Sequence, residues 1–188
     1  MNYLDDIRRF TPLCEQEEAD RPLMLAAALR DPRGILTRDS ALMHMTASSM
    51  IVSPDRARVL MAYHNIYRSW AWTGGHADGE SDMLSVALRE AREETGIAHL
   101  KALSERPVSL EILHVPPHVK RGRFVSAHLH FNLTYALEGD ADDEIRSKPD
   151  ENARVGWLPM DGLDEYVSEK EMLVIYRKIL SRIAPAVR

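Results

Sequence analysis

Residues 74–97 read GGHADGESDMLSVALREAREETGI, and this stretch is the most informative part of the chain. Apolar residues at helical spacing, followed by a glycine as a stop signal, predict a helix over residues 82–95. In such a helix Glu90, Glu93 and Glu94 stand at positions i, i+3 and i+4, so their carboxylates share one face.

Three carboxylates on one helix face repel one another, and a divalent cation removes that repulsion. Oxygen ligands alone favour a hard ion such as Mg²⁺ or Mn²⁺. Just upstream, Gly74, Gly75 and Gly79 predict a tight loop whose backbone can approach a phosphate or a metal closely. The alternative is a solvated helix face rich in Glu and Arg, which is a common feature of proteins.

As a whole, this stretch resembles the Nudix box, which reads Gly, five residues, Glu, seven residues, Arg-Glu-apolar-x-Glu-Glu-x-Gly-apolar. Residues 89–97 match its second half at every fixed position. The first half departs by one residue, because Gly75 as the opening glycine places Ser81 at the first acidic position. With Gly74 as the opener Glu80 fits, but the following spacer has eight residues instead of seven. The role of Glu80 therefore stays open.

The resemblance implies a fold of the α+β class, a Nudix-type α/β/α sandwich with a mixed β-sheet. The patterning agrees, since it predicts a C-terminal helix and strands at residues 42–53, 58–63, 70–73, 107–115, 124–137 and 153–158. We expect residues 1–38 to form an N-terminal helical extension and residues 39–188 to form the Nudix hydrolase domain. Asp20, two residues before Pro22, is the predicted N-cap of a helix in that extension.

The resemblance also implies roles for individual residues and a cofactor, Mg²⁺ (or Mn²⁺). Glu93 and Glu94 would be primary metal ligands, and Glu90 would be either a ligand or the base that deprotonates the attacking water. Arg89 would hold a box glutamate in position by an ion pair. The backbone carbonyl of Gly75 would add a further ligand.

The implied activity is hydrolysis, by metal-activated water, of the diphosphate bond in a nucleoside diphosphate linked to another group. Some family members take the catalytic base from a later loop, and the candidate here is Glu151, in KPDENARVGW. The alternative interpretation of Glu151 is a solvated acid in a turn. The contrasting hypothesis is a non-catalytic Nudix-fold binding module. The presence of all four charged residues of the box, which are Arg89, Glu90, Glu93 and Glu94, counts against it.

Cations and aromatic residues near the box are candidates for substrate binding. Lys120, Arg121 and Arg123 form a basic loop that could face a diphosphate, with an exposed turn as the alternative. His76 follows the box glycines, and Trp72 precedes them and could stack on a base. The alternative for the tryptophan is a place in the core.

His44, His76, His128 and His130 are a second candidate metal set, since His128 and His130 point to the same face of one strand. The arrangement resembles that of isopentenyl-diphosphate isomerase, a Nudix-fold relative with histidine metal ligands. That enzyme needs a cysteine where this chain has Gly74, so isomerase chemistry is disfavoured. The alternatives are a histidine-rich second metal site, or strand histidines that donate to backbone carbonyls.

Composition and charge exclude several classes of protein. The formal net charge is −5, from 24 Lys and Arg against 29 Asp and Glu, which argues against an extended nucleic-acid surface. The single cysteine, Cys14, excludes an internal disulfide. No apolar run approaches the roughly 20 residues that cross a bilayer. We therefore expect a cytoplasmic enzyme with a small-molecule diphosphate substrate and no membrane partner, whose N-terminal extension is a structural or a homodimer element.

Overall fold

The computed structural model describes residues 2–120 and 122–183, so Arg121 of the basic loop lies outside the described residues. Over these residues the chain forms four α-helices, which are α1 (Tyr3–Arg9), α2 (Glu15–Arg30), α3 (Met83–Thr95) and α4 (Lys170–Ile183). The strands are β1 (Met43–Val52), β2 (Arg58–His64), β3 (Ser69–Ala71), β4 (Thr73–His76), β5 (Leu100–Ala102), β6 (Ser109–Val115), β7 (His118–Lys120), β8 (Arg123–Val125), β9 (His128–Gly139) and β10 (Asn152–Pro159).

The main sheet is organised around β1. This strand lies parallel to β9 along its full length and antiparallel to β2 and β4. β10 and β3 extend the sheet from β2, while β5 and β6 pair with β9; β7 and β8 form a separate hairpin. The combination of parallel and antiparallel pairs confirms the predicted α+β class with a mixed sheet.

Helices α3 and α4 cover opposite faces of this sheet. The apolar side of α3, with Met83, Ala87 and Ala91, shares a core with Met45 and Ala47 of β1. The apolar side of α4 packs instead against the C-terminal half of β1 and against β2. Since side chains alternate along a strand, β1 contributes to both cores.

The ends of α3 are fixed by local signals. The side chain of Asp82 accepts a hydrogen bond from the backbone N–H of Ser85, and Gly96 ends the helix in the left-handed region at φ 69°. Both are standard helix caps. With these caps α3 spans Met83–Thr95, within one residue of the helix predicted over residues 82–95.

The N-terminal helices pack into the core beneath α3, since Tyr3, Ile7 and Met24 are fully buried with it. The predicted N-cap at Asp20 is wrong, because α2 begins at Glu15 and contains both Asp20 and Pro22. The Asp20 carboxylate instead accepts a hydrogen bond from the backbone N–H of Ile112 in β6. The boundary between an extension and a separate domain stays a prediction.

A buried ion-pair network ties α2 to α4. The Glu17 side chain is fully buried and receives Arg182 Nη1 at 2.5 Å and Lys178 Nζ at 3.2 Å. Lys178 also binds the buried Glu111 of β6 at 2.9 Å, and Ser109 donates to Glu17 at 3.0 Å. Three elements that are distant in sequence are therefore fixed to one another by charge.

No helix in the described part of the chain has the length and apolar character that a membrane crossing requires.

Candidate functional site

The two glycines that open the predicted box lie inside β4, not in a loop, so the predicted tight loop begins only after His76. A Cβ on Gly74 would lie 2.5 Å from Ser48 Oγ, and a Cβ on Gly75 would lie 2.6 Å from Glu90 Oε1. At Gly74 the backbone carbonyl of Ala47, 2.7 Å from that Cβ, also excludes a side chain, so this position needs glycine. At Gly75 the space of a side chain is filled by the end of the Glu90 side chain alone. In particular, the Glu90 carboxylate rests directly against the Gly75 backbone.

Glu94 is the buried carboxylate of the set. Its side chain reaches across to β4, where Oε1 accepts a hydrogen bond of 2.8 Å from the Gly74 backbone N–H. Burial, together with the nearby Glu151 and Glu90 charges, raises the pKa of Glu94 to about 8 despite that hydrogen bond. The group therefore holds a proton at neutral pH when no cation balances its charge.

Arg89 lies between three carboxylates. Its guanidinium is 2.5 Å from Glu90 Oε1 and 3.8 Å from both Glu80 Oε2 and Glu93 Oε1. Burial raises the pKa of Glu90, although the adjacent arginine opposes that shift. The contact with Glu80 shows that the one-residue departure in the loop does not remove this acid from the site.

Lys148, which sequence reasoning missed, is the second cation of the site. Its ammonium group is 3.4 Å from Glu93 Oε2 and 3.2 Å from Glu151 Oε2. Glu151, the candidate base, therefore lies beside the helix carboxylates, in the turn before β10. No local pattern marks Lys148, because it lies 55 residues beyond its partner Glu93 and the fold alone brings them together.

Residues from the N-terminal segment hold the loop between β4 and α3. Arg38 forms two 2.8 Å hydrogen bonds to the Asp78 carboxylate, and Leu36 accepts one from the Gly79 N–H at 2.9 Å. The backbone N–H of Tyr3 donates to the carbonyl of Ser81 at 2.9 Å. Asp78 has a positive φ of 47°, which this framework of contacts maintains.

The predicted substrate-binding residues lie in different parts of the fold. The backbones of Lys120 and Arg123 are register partners in the β7–β8 hairpin, and Arg123 is exposed. Trp72 follows β3 and packs on Tyr176 of α4, with ring centroids 5.3 Å apart. His76 belongs to the histidine cluster and not to the group of carboxylates around α3.

The four predicted histidines form one cluster on the sheet. The rings of His44, His76, His128 and His130 have centroids 4.9–5.0 Å apart in five of their pairings. Burial and the neighbouring histidines lower the pKa of His130 to about 2, so its imidazole is neutral. The hairpin begins beside this cluster, with the His118 ring 6.4 Å from that of His128.

The carboxylate group has the chemistry to hold a divalent cation. It combines a buried acid of raised pKa, Glu94, with Glu90 and Glu93, whose charges are partly balanced by Arg89 and Lys148. Oxygen-only donors suit hard ions such as Mg²⁺. A cation among these groups would replace the proton on Glu94 and offset both the burial and the carboxylate repulsion that raise its pKa.

Comparisons with known proteins agree on one family. The model of the NUDIX domain matches residues 43–182. An RNA pyrophosphohydrolase of Dinoroseobacter shibae is 36% identical over 103 residues, which cover 52% of this chain and 64% of that protein. The m7GpppN-mRNA hydrolase NUDT17 of Homo sapiens is 27% identical over 157 residues, covering 81% of this chain and 46% of that protein. The chain thus spans less than two thirds of the length of either relative.

Solved structures show the same fold. A NUDIX-family hydrolase from Clostridium perfringens has a TM-score of 0.56 at 19% identity, over 75% of this chain and 98% of that one. An Ap4A hydrolase of C. elegans has a TM-score of 0.55 at 17% identity, over 74% and 96% of the two chains.

Proposed function

This chain belongs to the NUDIX domain family, and from that premise we propose that it hydrolyses a diphosphate bond with a divalent metal held by the α3 carboxylates. The observation that carries the proposal is the buried Glu94, bonded to the Gly74 N–H and surrounded by further acids. A carboxylate must lose its proton to bind a metal, so a cation that binds here would displace the proton of Glu94.

We assign the metal to Glu90, Glu93 and Glu94, with the Gly75 carbonyl as a further ligand, and name Mg²⁺ or Mn²⁺ as the ion. When bound, such an ion neutralises the diphosphate and lowers the pKa of a coordinated water.

The protein's own groups fix the positions of these acids. Arg89 holds Glu90 through the 2.5 Å ion pair, and the Gly75 backbone supports the same carboxylate from the other side. Lys148 holds both Glu93 and Glu151. Glu90 serves either as a ligand or as the base that accepts the proton of the attacking water. Glu151, held by Lys148 beside Glu93, is the alternative base.

The proposed substrate is a nucleoside diphosphate linked to another group. The two curated relatives carry names that describe hydrolysis of RNA phosphate and cap linkages, so 5′-triphosphate and capped RNA belong among the candidates. Lys120, Arg121 and Arg123 stay our candidates for phosphate binding, and Trp72 for a further substrate contact. The role of His76 in substrate binding stays a sequence prediction only, because this residue belongs to the histidine cluster on the sheet face opposite α3.

A hydrolysis screen tests the proposed function. Nucleotide sugars, ADP-ribose, dinucleotides, nucleoside triphosphates and 5′-triphosphate RNA are incubated with Mg²⁺, with Mn²⁺ or with EDTA, and phosphate products are counted. We expect metal-dependent cleavage of at least one diphosphate bond. Nucleotide binding without cleavage would favour the non-catalytic module, and conversion of isopentenyl diphosphate would favour the isomerase; either result would contradict the proposal.

We expect Gly75→Ala to lower the turnover rate by about 10²-fold, because the new Cβ would push the Glu90 carboxylate out of position. That Cβ would lie 2.6 Å from Glu90 Oε1 and 2.7 Å from Oε2. Initial rates on the best substrate of the screen measure the effect. Gly162→Ala is the matched control, since its Cβ would meet only Pro159 Cβ at an ordinary 3.7 Å. Equal activity of the two folded variants would contradict the assignment of Glu90.

We expect the affinity for Mg²⁺ or Mn²⁺ to rise by up to about tenfold per pH unit below pH 8 and to level off above it. The reason is that the pKa of Glu94 is raised to about 8, so below that pH a proton must leave before the cation binds. Calorimetric titrations between about pH 6.5 and pH 9 measure the affinity. A flat profile over that interval would show that Glu94 is not a ligand.

A further inference from the structure

Three strands bring nitrogen ligands together on the sheet face opposite α3. His44 and His130 are register partners on the parallel pair β1 and β9, and His76 stands on β4, on the other side of β1. One potential ligand atom from each of these three residues lies within 4.8 Å of the other two. His128 is two residues before His130, and their Nε2 atoms are 3.2 Å apart. Two nitrogens on one tetrahedral zinc ion would be roughly 3.3 Å apart.

Backbone carbonyls fix the tautomers of two of these rings. A carbonyl oxygen only accepts, so Nδ1 of His44 must donate to Ser40 O at 3.0 Å, and Nδ1 of His128 must donate to Ser126 O at 2.9 Å. In each neutral ring the lone pair is then on Nε2. This pattern, an outer N–H bonded to the backbone and an inner lone pair, is the one metal-binding histidines adopt.

The inner nitrogen of His44 has no hydrogen-bond partner among the residues that the structure describes. His44 is only 5% exposed, and its Nε2 is buried without a hydrogen bond from any described residue. An unsatisfied buried nitrogen is costly, and most such atoms in folded proteins do have a partner. A metal ion among the rings would supply one.

We propose that His44, His76 and His130 bind a divalent transition-metal ion of the zinc type, with His128 beside the fourth coordination position. Imidazole nitrogen suits such ions, whereas Mg²⁺ prefers oxygen. The site is distinct from the carboxylates, because Met45 and Ala47, which alternate with His44 along β1, point into the α3 core on the opposite face. A single ion cannot contact both sets.

The zinc content of the protein tests the proposal. Because this measurement needs no assay of hydrolysis, failure of the zinc-site proposal can be distinguished from failure of the proposed function. The untagged full-length protein is purified without chelator and analysed by mass spectrometry for metals. Chelator-stripped protein is then titrated with Zn²⁺ in competition with a chromophoric chelator. We expect one zinc ion per chain in the unmodified protein.

His44→Gln and His130→Gln should each weaken zinc binding by more than about 100-fold, which exceeds the usual loss from removing a residue that only hydrogen-bonds to a metal ligand. His128→Gln should have a smaller effect. His114→Gln is the matched control, because this exposed histidine pairs with Leu129 on the other face of the sheet. Glu93→Gln should retain zinc.

Two outcomes would overturn the proposal: unmodified protein that binds Zn²⁺ no more tightly than His44→Gln, or zinc that is lost in Glu93→Gln and kept in His130→Gln. If the histidine variants do not fold, Co²⁺ bound to the unmodified protein decides through its visible spectrum. Tetrahedral nitrogen coordination supports the site, and a spectrum of octahedral oxygen coordination overturns it.

Discussion

Glu94→Gln is expected to lower the rate of diphosphate hydrolysis by roughly 10³-fold, the upper range for loss of one preorganised electrostatic contact, while the fold stays intact. The metal-free protein already holds this side chain in its protonated form near neutral pH, since its pKa is about 8. Glutamine imitates that neutral form and can still accept the hydrogen bond from the Gly74 N–H. We therefore expect the substitution to weaken metal binding without lowering the stability of the fold.

Initial rates at saturating substrate and at the Mg²⁺ concentration that just saturates the unmodified protein, together with a thermal unfolding curve, measure both parts of this expectation. Glu105→Gln, which alters an exposed glutamate in the loop before β6, is the matched control. Full activity in Glu94→Gln would remove Glu94 from the chemistry. A strong loss of stability would show that its carboxylate is structural.

Glu17→Gln is expected to lower the free energy of unfolding by about 3–5 kcal/mol, the usual cost of breaking a buried ion pair by removing one partner. The substitution leaves Arg182 and Lys178 facing a neutral amide in a buried position. Because Glu17 belongs to α2 and both cations belong to α4, the loss would loosen the N-terminal helices from the rest of the molecule. Denaturant unfolding measures the effect, with the exposed neighbour Glu18→Gln as control.

The same network predicts how stability depends on pH. Burial alone would raise the pKa of Glu17, but hydrogen bonds from Arg182, Leu13 and Ser109 and the Lys178 charge outweigh it and lower the pKa to about 2. Since the folded pKa is below the unfolded one, the stabilisation is complete above about pH 4.5 and is lost as the pH falls towards 2. Glu17→Gln should flatten that acid dependence, and an unchanged acid profile would contradict the role of Glu17.

Local signals explain why the helix of the site could be predicted from sequence. An N-cap at Asp82, an αL glycine at Gly96 and apolar spacing between them act within a few residues, and the helix 82–95 was predicted to within one residue. Strand-like composition likewise predicted β1 and β2, whereas the single strand predicted over residues 124–137 is divided into β8 and β9. The mixture of elements predicted the α+β class.

The features that sequence reasoning missed depend on contacts between distant segments. Lys148 reaches Glu93 only because the turn before β10 lies against α3. Asp20 was misassigned as a helix cap because its true partner is the backbone of Ile112, in another element. The predicted loop at Gly74 is a strand, because its backbone pairs with Ser48 of β1, far away in sequence.

Mn²⁺ binding followed by electron paramagnetic resonance tests most directly whether α3 holds the catalytic metal. Unmodified protein and Glu94→Gln are titrated with Mn²⁺ at about pH 8, close to the raised pKa of Glu94. We predict that the unmodified protein binds Mn²⁺ and that Glu94→Gln loses most of that binding, with the fold unchanged. Equal Mn²⁺ affinity in the two proteins would contradict a metal site at the α3 carboxylates.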